Sequence, residues 1–338
     1  MEEPKFSITE ASTNEDTEYF EDVGIHQKLK HKFIQLYLDV WVENVGNNSK
    51  KTPPSVDFFD MYSASGWAYD PHTKEKWPGS ALLAAKAFGE YPRGRLLLLN
   101  SYDTDATTCA RQIDILRRSI MDLDDCPHVM DKTQIISAEI HEGTEIALSR
   151  FNRNYPSLWI LDPYHPDQLP WEIVEKIGTT VGDPYKDPIT GKVTQKKPEL
   201  IINLMTSVLQ RNIDRKPELF SKAVGLPEEM WRPLYQKYER EYLDQGNEQC
   251  TRDVILDIYA ERLSKLYNHN PIIALVNAAH GGVVYTMLLV TDNDAGYYMM
   301  RKKMQAWQNY KIYRWKSEAE ASVLRKNDPS QSDITKWF

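Results

Sequence analysis

Pro271-Ile272-Ile273-Ala274-Leu275-Val276-Asn277-Ala278 and Val283-Val284-Tyr285-Thr286-Met287-Leu288-Leu289-Val290-Thr291 are two apolar runs separated by Ala279-His280-Gly281-Gly282. Each run has the length of a buried strand. Two such runs joined by a short glycine-containing linker read as a β-hairpin. A histidine in that turn, His280, is read as structural.

Upstream of the hairpin, strand and helix signals alternate. Residues 55–62 predict a strand and Gly79 to Phe88 a helix. Arg95 to Asn100, built on four consecutive leucines, predicts a strand, and Thr104 to Leu123 a helix. A strand over Gln134 to Ile140, a helix over Glu142 to Asn152 and a strand over Leu158 to Leu161 follow. A short helix over Leu169 to Ile177 and a strand over Glu199 to Met205 complete the series. Strands alternating with helices at this spacing imply a parallel sheet with right-handed crossovers. Such a sheet finished by an antiparallel hairpin is the architecture of S-adenosylmethionine (SAM)-dependent methyltransferases. The expected fold is therefore α/β: a Rossmann-like, class I SAM-methyltransferase-like, seven-stranded sheet with a C-terminal antiparallel hairpin. Residues 207–268 are helical and polar and read as an inserted lobe, placed as a cap over the sheet rim. Residues 1–22 read as an acidic tail, 23–206 with 269–325 as the α/β domain, and 326–338 as a polar tail. Residues 180–198 read as a loop.

The chain has 338 residues, with 41% hydrophobic and 11% aromatic content, enough for a large core. Its net charge of −8 argues against a broad electrostatic nucleic-acid binder, which needs clustered Lys and Arg. A local basic patch is still available: Lys28, Lys30, His31 and Lys32 decorate the helical pattern from His26 to Val45, either as a solvated face or as a nucleic-acid contact. The three cysteines, Cys109, Cys126 and Cys250, are scattered, which argues against a disulfide framework or a cysteine zinc site and for reduced thiols in a cytoplasmic protein. Cys126 and His128 have no companions in sequence that would complete a metal site. No stretch approaches the roughly 18 apolar residues of a membrane span, and the N-terminus lacks the pattern of a secretory signal. No phosphate-binding Gly-Lys-Ser/Thr loop is present.

Ligands of open α/β sheets sit at the carboxyl ends of the strands. The run Leu158-Trp159-Ile160-Leu161 ends there in Asp162-Pro163-Tyr164-His165. Asp162 can accept a hydrogen bond from an exocyclic amine, Tyr164 can stack on a base, Pro163 stiffens the turn, and His165 can take a proton near neutral pH or serve as an ordinary loop residue. Enzymes that methylate nucleobase amines carry a motif of this kind, with a second proline that this chain lacks. The first strand ends in Asp60-Met61-Tyr62-Ser63-Ala64-Ser65-Gly66, where a tight turn of small residues would admit the methionine part of SAM. The second strand ends near Ser101, where a ribose-binding carboxylate is expected. Asp103 could substitute, or could cap the next helix. Glu139, ending the third strand, stands near an adenine pocket or faces solvent.

These pieces, together with Pro78-Gly79-Ser80-Ala81-Leu82 and Ile202-Asn203-Leu204, resemble the three-Cys-motif partner proteins over residues 25–305. That family is bacterial and archaeal, methyltransferase-like, found beside a radical-SAM partner and in mobile-element or phage-defence contexts. The resemblance implies that Asp60, Tyr62, Ser63 and Gly66 take the family's Asp, Phe, Ala and last Gly in the cofactor loop. Met61, Ala64 and Ser65 depart from that loop. It also implies that Ser101 stands where the family has an acidic residue, and that Asp162, Pro163, Tyr164 and His165 match its Asp-Pro-Phe-Gly. Two functions follow as expectations: a SAM-dependent methyltransferase acting on a nucleobase amine, or a catalytically degenerate scaffold subunit of a defence complex.

Overall fold

The computed structural model describes residues 21–22, 25–47, 56–71, 74–89, 94–101, 106–123, 128–186, 193–247, 250–277 and 283–306. Its centre is a seven-stranded sheet of β1 (Val56–Asp60), β2 (Gly94–Asn100), β3 (Thr133–Ser137), β4 (Ser157–Leu161), β5 (Glu199–Leu204), β6 (Ile272–Asn277) and β7 (Val283–Val290). The spatial order is β6-β7-β5-β4-β1-β2-β3. The pairs from β3 through β5 are all parallel, whereas β7 runs antiparallel to both β5 and β6. This is the class I SAM-methyltransferase-like topology, with the chain reversing at β1 so that a crevice opens between the carboxyl ends of β1 and β4.

Successive side chains of a strand point to opposite faces, so each central strand feeds two cores. Phe58, Leu96, Leu98, Leu158, Ile160 and Ile201 face one layer, whereas Phe59, Leu97, Leu99, Trp159, Leu161 and Ile202 face the other. Burial on both sides is why the middles of these strands are apolar, with the buried polar residues Asp57, Asp60, Glu199 and Asn203 at or near strand ends. The first layer comprises α1 (Ile25–Asn47), α2 (Ser80–Gly89), α3 (Ala106–Met121) and, at the hairpin edge, α10 (Asp294–Ala306). The second comprises α4 (Ile140–Arg150), α5 (Trp171–Thr179), α6 (Thr206–Asn212), α7 (Pro217–Val224), α8 (Glu228–Asp244) and α9 (Thr251–Ser264).

The helices of 207–268 therefore join the second layer. Parallel strands need a crossover, and α9 supplies it between β5 and β6, burying Val254, Ile255, Leu256, Ile258 and Tyr259. Gly225 ends α7 in a left-handed conformation against Trp171; a Cβ there would stand 2.4 Å from the indole Cδ1. Within 180–198, Pro184–Lys186 and Val193–Gln195 form a small antiparallel pair rather than plain loop. A second small sheet, Glu21–Asp22 with Trp67–Tyr69 and Lys76–Pro78, was not anticipated from the sequence.

Helix α1 runs opposite to the parallel strands and is pinned at both ends. Near its C-terminal half, Tyr37 Oη and Trp41 Nε1 donate to Glu199 at the start of β5, the indole at 2.9 Å. Two turns earlier Lys30 reaches the carboxyl end of β4. Lys30 and His31 are buried, so they do not belong to the basic surface face expected of this helix; Lys28 pairs with Glu75. Burial, with Lys30 beside it, holds the His31 imidazole well below its ordinary range. A neutral His31 Nδ1 accordingly accepts from Trp77 Nε1 at 3.0 Å.

Candidate functional site

The loop after β1 is stitched to the end of β2. Ser63 N donates to Leu99 O at 2.9 Å, and Ser101 Oγ donates to Met61 O at 2.7 Å. Asp60 is buried beneath this loop and accepts from Ser80 Oγ at 2.6 Å and Tyr62 N at 3.0 Å. Burial pushes its carboxyl up to about 7; nearby Asp162 adds to the rise, and the two hydrogen bonds and Lys30 oppose it. Gly66 adopts φ +77°, and a Cβ there would lie 2.6 Å from Leu116 Cδ1. Its missing side chain makes room for α2 and α3 to approach the sheet.

The motif after β4 divides between inside and outside. Asp162 Oδ2 lies 2.6 Å from Lys30 Nζ, and Asp162 Oδ1 accepts from Asn203 Nδ2 at 2.8 Å. Tyr164, 40% exposed, turns to the surface. Backbone N–H groups of Tyr164 and His165 donate to Gln168 Oε1, and the His165 side chain pairs with Asp167. Tyr62 crosses from the β1 loop to this turn, its hydroxyl donating to Gln168 O at 2.6 Å. Burial, with the charges of Asp162 and Glu139 on either hand, holds the Tyr62 phenol well above its ordinary range, so it remains a donor.

On the β2–β3 side of Tyr62 opens a cleft of about 760 Å³ lined by Ser101, Cys109, Glu139, His141, Asp167 and Gln168, with Lys222 reaching in from α7. Its volume falls in the ~300–1,000 Å³ range of small-molecule sites. Glu139 both lines this cleft and caps α4, accepting from His141 N at 2.8 Å. The structure thus brings Asp60, Tyr62 and Asp162 together at the β1–β4 crevice and sets Glu139 in the neighbouring cleft. It leaves Ser63 and Gly66 packed within the loop. Asp103, Cys126 and His280 lie outside the described residues. Among the described residues, no cluster of three His, Cys, Asp or Glu side chains could hold a metal ion, and no helix is long and apolar enough to cross a membrane.

Sequence reasoning missed Lys30 and Asn203. The signal for Lys30 was its register: Phe33, Ile34 and Tyr37 lie three, four and seven residues on, which places the lysine on the buried stripe of α1.

No protein family's sequence profile matches the chain, and no curated protein does. Among solved structures it is similar to protein LPL1258 from Legionella pneumophila (9% identity, 81% of this chain and 91% of that one, TM-score 0.39). It is also similar to spermidine synthase from Thermotoga maritima (10% identity, 91% and 72%, TM-score 0.36). The plantazolicin methyltransferase BpumL, in complex with a monoazolic desmethylPZN analog and SAH, is another (9% identity, 79% and 88%, TM-score 0.30). Likeness at this level adds nothing to the strand order, which defines the fold by itself.

Proposed function

We propose that the protein is a SAM-dependent methyltransferase-like protein whose cleft over β2 and β3 takes the nucleoside end of the cofactor. Asp162 is the carboxylate set to hold an acceptor amine. The cleft supports this reading: it is large enough for a nucleoside, it lies at the carboxyl ends of β2 and β3, and Glu139 and Gln168 line it. The fit is good at the nucleoside end, whereas at the methionine end Tyr62 bridges the crevice. When bound, SAM supplies an electrophilic methyl group. The chain's own residues would hold the nucleoside (Glu139, Gln168), exclude water (Tyr62) and orient the amine (Asp162). A nucleobase amine in a mobile-element or phage-defence setting is the acceptor and context that the family resemblance suggests. Isothermal titration with SAM and S-adenosylhomocysteine tests the reading. Heat is expected from both, and its absence at high micromolar ligand would sink it. Asp162→Asn, assayed at a temperature where the variant is folded because it also breaks the buried pair with Lys30, should then lose methyl transfer while keeping cofactor affinity.

One observation favours the scaffold reading. The residue standing in the ribose-carboxylate position is Ser101, and its hydroxyl is spent on Met61 O. In that case the protein works by binding partners encoded nearby, a radical-SAM protein among them. Co-purification with those gene products, weakened by deleting the acidic residues 1–20 and accompanied by silence toward SAM, is the expected pattern.

A further inference from the structure

The Asp162 side chain is already occupied, and by an amine. Lys30 Nζ sits on Asp162 Oδ2 at 2.6 Å with the lysine side chain only 1% exposed. The Tyr285 ring flanks the ammonium, its centroid 5.7 Å from Nζ. Two residues linked to the pair carry acceptors without donors. Asn203 donates to Asp162 through Nδ2, yet its Oδ1 is buried without a hydrogen-bond partner. Gln27 donates to the Tyr285 hydroxyl at 3.0 Å, yet its Oε1 is likewise buried and unpartnered. Buried acceptors without donors are costly, and a native cluster seldom keeps two. A second carboxylate, Asp60, lies within electrostatic range of both Asp162 and Lys30. The Lys30–Asp162 pair is thus linked through Asn203 and Tyr285 to two amide oxygens without donors, with the Asp60 carboxyl within electrostatic range.

We propose that Asp162, Asn203, Gln27 and Tyr285 form a binding site for a primary alkylammonium group, and that Lys30 is its built-in occupant in the resting chain. This rests on the reading of Asp162 as the amine-holding carboxylate and replaces the nucleobase amine of that reading with an alkylamine, which binds as the ammonium ion and must give up a proton before it could take a methyl group. The group the site is shaped around is a point cation on an alkyl stem, with an aromatic face beside it. An external amine gains the site by displacing Lys30, so α1 closes the acceptor position until a competing ammonium arrives.

The test needs no SAM, so its failure is distinguishable from failure of the cofactor reading. Lys30→Ala removes the atoms of one n-propylammonium ion and lowers the melting temperature. Added n-propylammonium is expected to restore at least half of that loss. Tetramethylammonium, which has no N–H donors, and sodium chloride at equal ionic strength are expected to restore none. Lys30→Met, which keeps the stem in place, is expected to show no rescue by any of them. Equal rescue by all three cations, rescue by cytosine in place of n-propylammonium, or no rescue at all overturns the proposal. Should Lys30→Ala be recovered only unfolded, its refolding yield with and without n-propylammonium is read instead. An increase specific to that ion supports the site, and an unchanged yield overturns it.

Discussion

Lys30 Nζ and Asp162 Oδ2 are 2.6 Å apart, one on a helix that precedes the sheet and the other at the end of its central strand. Removing one member of a buried ion pair leaves an uncompensated charge and costs about 3–5 kcal/mol. Lys30→Met and Asp162→Asn should each destabilise the fold strongly. The double variant should lose less than the sum of the two, because neither leaves a lone charge for the other. Urea unfolding of the four proteins of that cycle measures the coupling; additive losses would remove the pair from any account of stability.

Asp60 sets a pH dependence. Its carboxyl titrates at about 7 in the folded chain against an ordinary value of 3.8. The folded state therefore binds the proton more tightly than the unfolded state does. The stabilisation from the protonated form is complete below pH 4 and is lost as the pH rises through 7, at a rate approaching ~1.4 kcal/mol per pH unit. Asp60→Asn keeps Oδ1 as the acceptor for Tyr62 N, presents an N–H to Ser80 Oγ in place of the second oxygen, and cannot ionise. It should match wild type below pH 4, and its melting temperature should exceed that of wild type by a margin that grows between pH 4 and 7 and is full at pH 8.

Filling the cleft separates ligand binding from folding. Ala110 lines the cleft on the exposed side of α3. Ala110→Trp should lower the affinity for S-adenosylhomocysteine by about tenfold or more, equivalent to ~1.4 kcal/mol, with little change in melting temperature. Titration calorimetry beside thermal unfolding reads both; unchanged affinity would place the nucleoside elsewhere.

Two glycines with positive φ should behave differently. Gly225→Ala sets a methyl against Trp171, 2.4 Å from Cδ1, on top of the backbone penalty, whereas Gly246, at φ +79°, has nothing within 4 Å. Gly246→Ala should cost about 1 kcal/mol, and Gly225→Ala distinctly more. Denaturant midpoints of the two variants give the comparison.

The strands were legible because a strand buried on both faces is apolar at every position, as Leu96 to Leu99 and Leu158 to Leu161 are. The hairpin was legible from its length and glycines, and with it the sheet order. Helix α9 was merged with its polar neighbours because its eight buried positions, Asp253 among them, run round the helix between charged residues and leave no single apolar face to read. The site was legible only where chemistry and position coincide in sequence. Asp162 was visible as a polar residue ending an apolar run. Lys30 was not, since a charge on a buried helical stripe becomes meaningful only when a partner distant in sequence is brought beside it. Glu139 was undecided between pocket and solvent, and it does two jobs that sequence cannot separate: it caps α4 and lines the cleft.

Because α1 is held at one end by Glu199 of β5 and at the other by Asp162 after β4, it can dock fully only once both of those strands exist. On the ribosome the helix emerges before the central strands, its aromatic stripe uncovered while they are still being made. Long-range closure of that kind slows folding and lengthens the exposure of sticky intermediates. Nascent chains stalled before Glu199 should accordingly be the ones most dependent on chaperones.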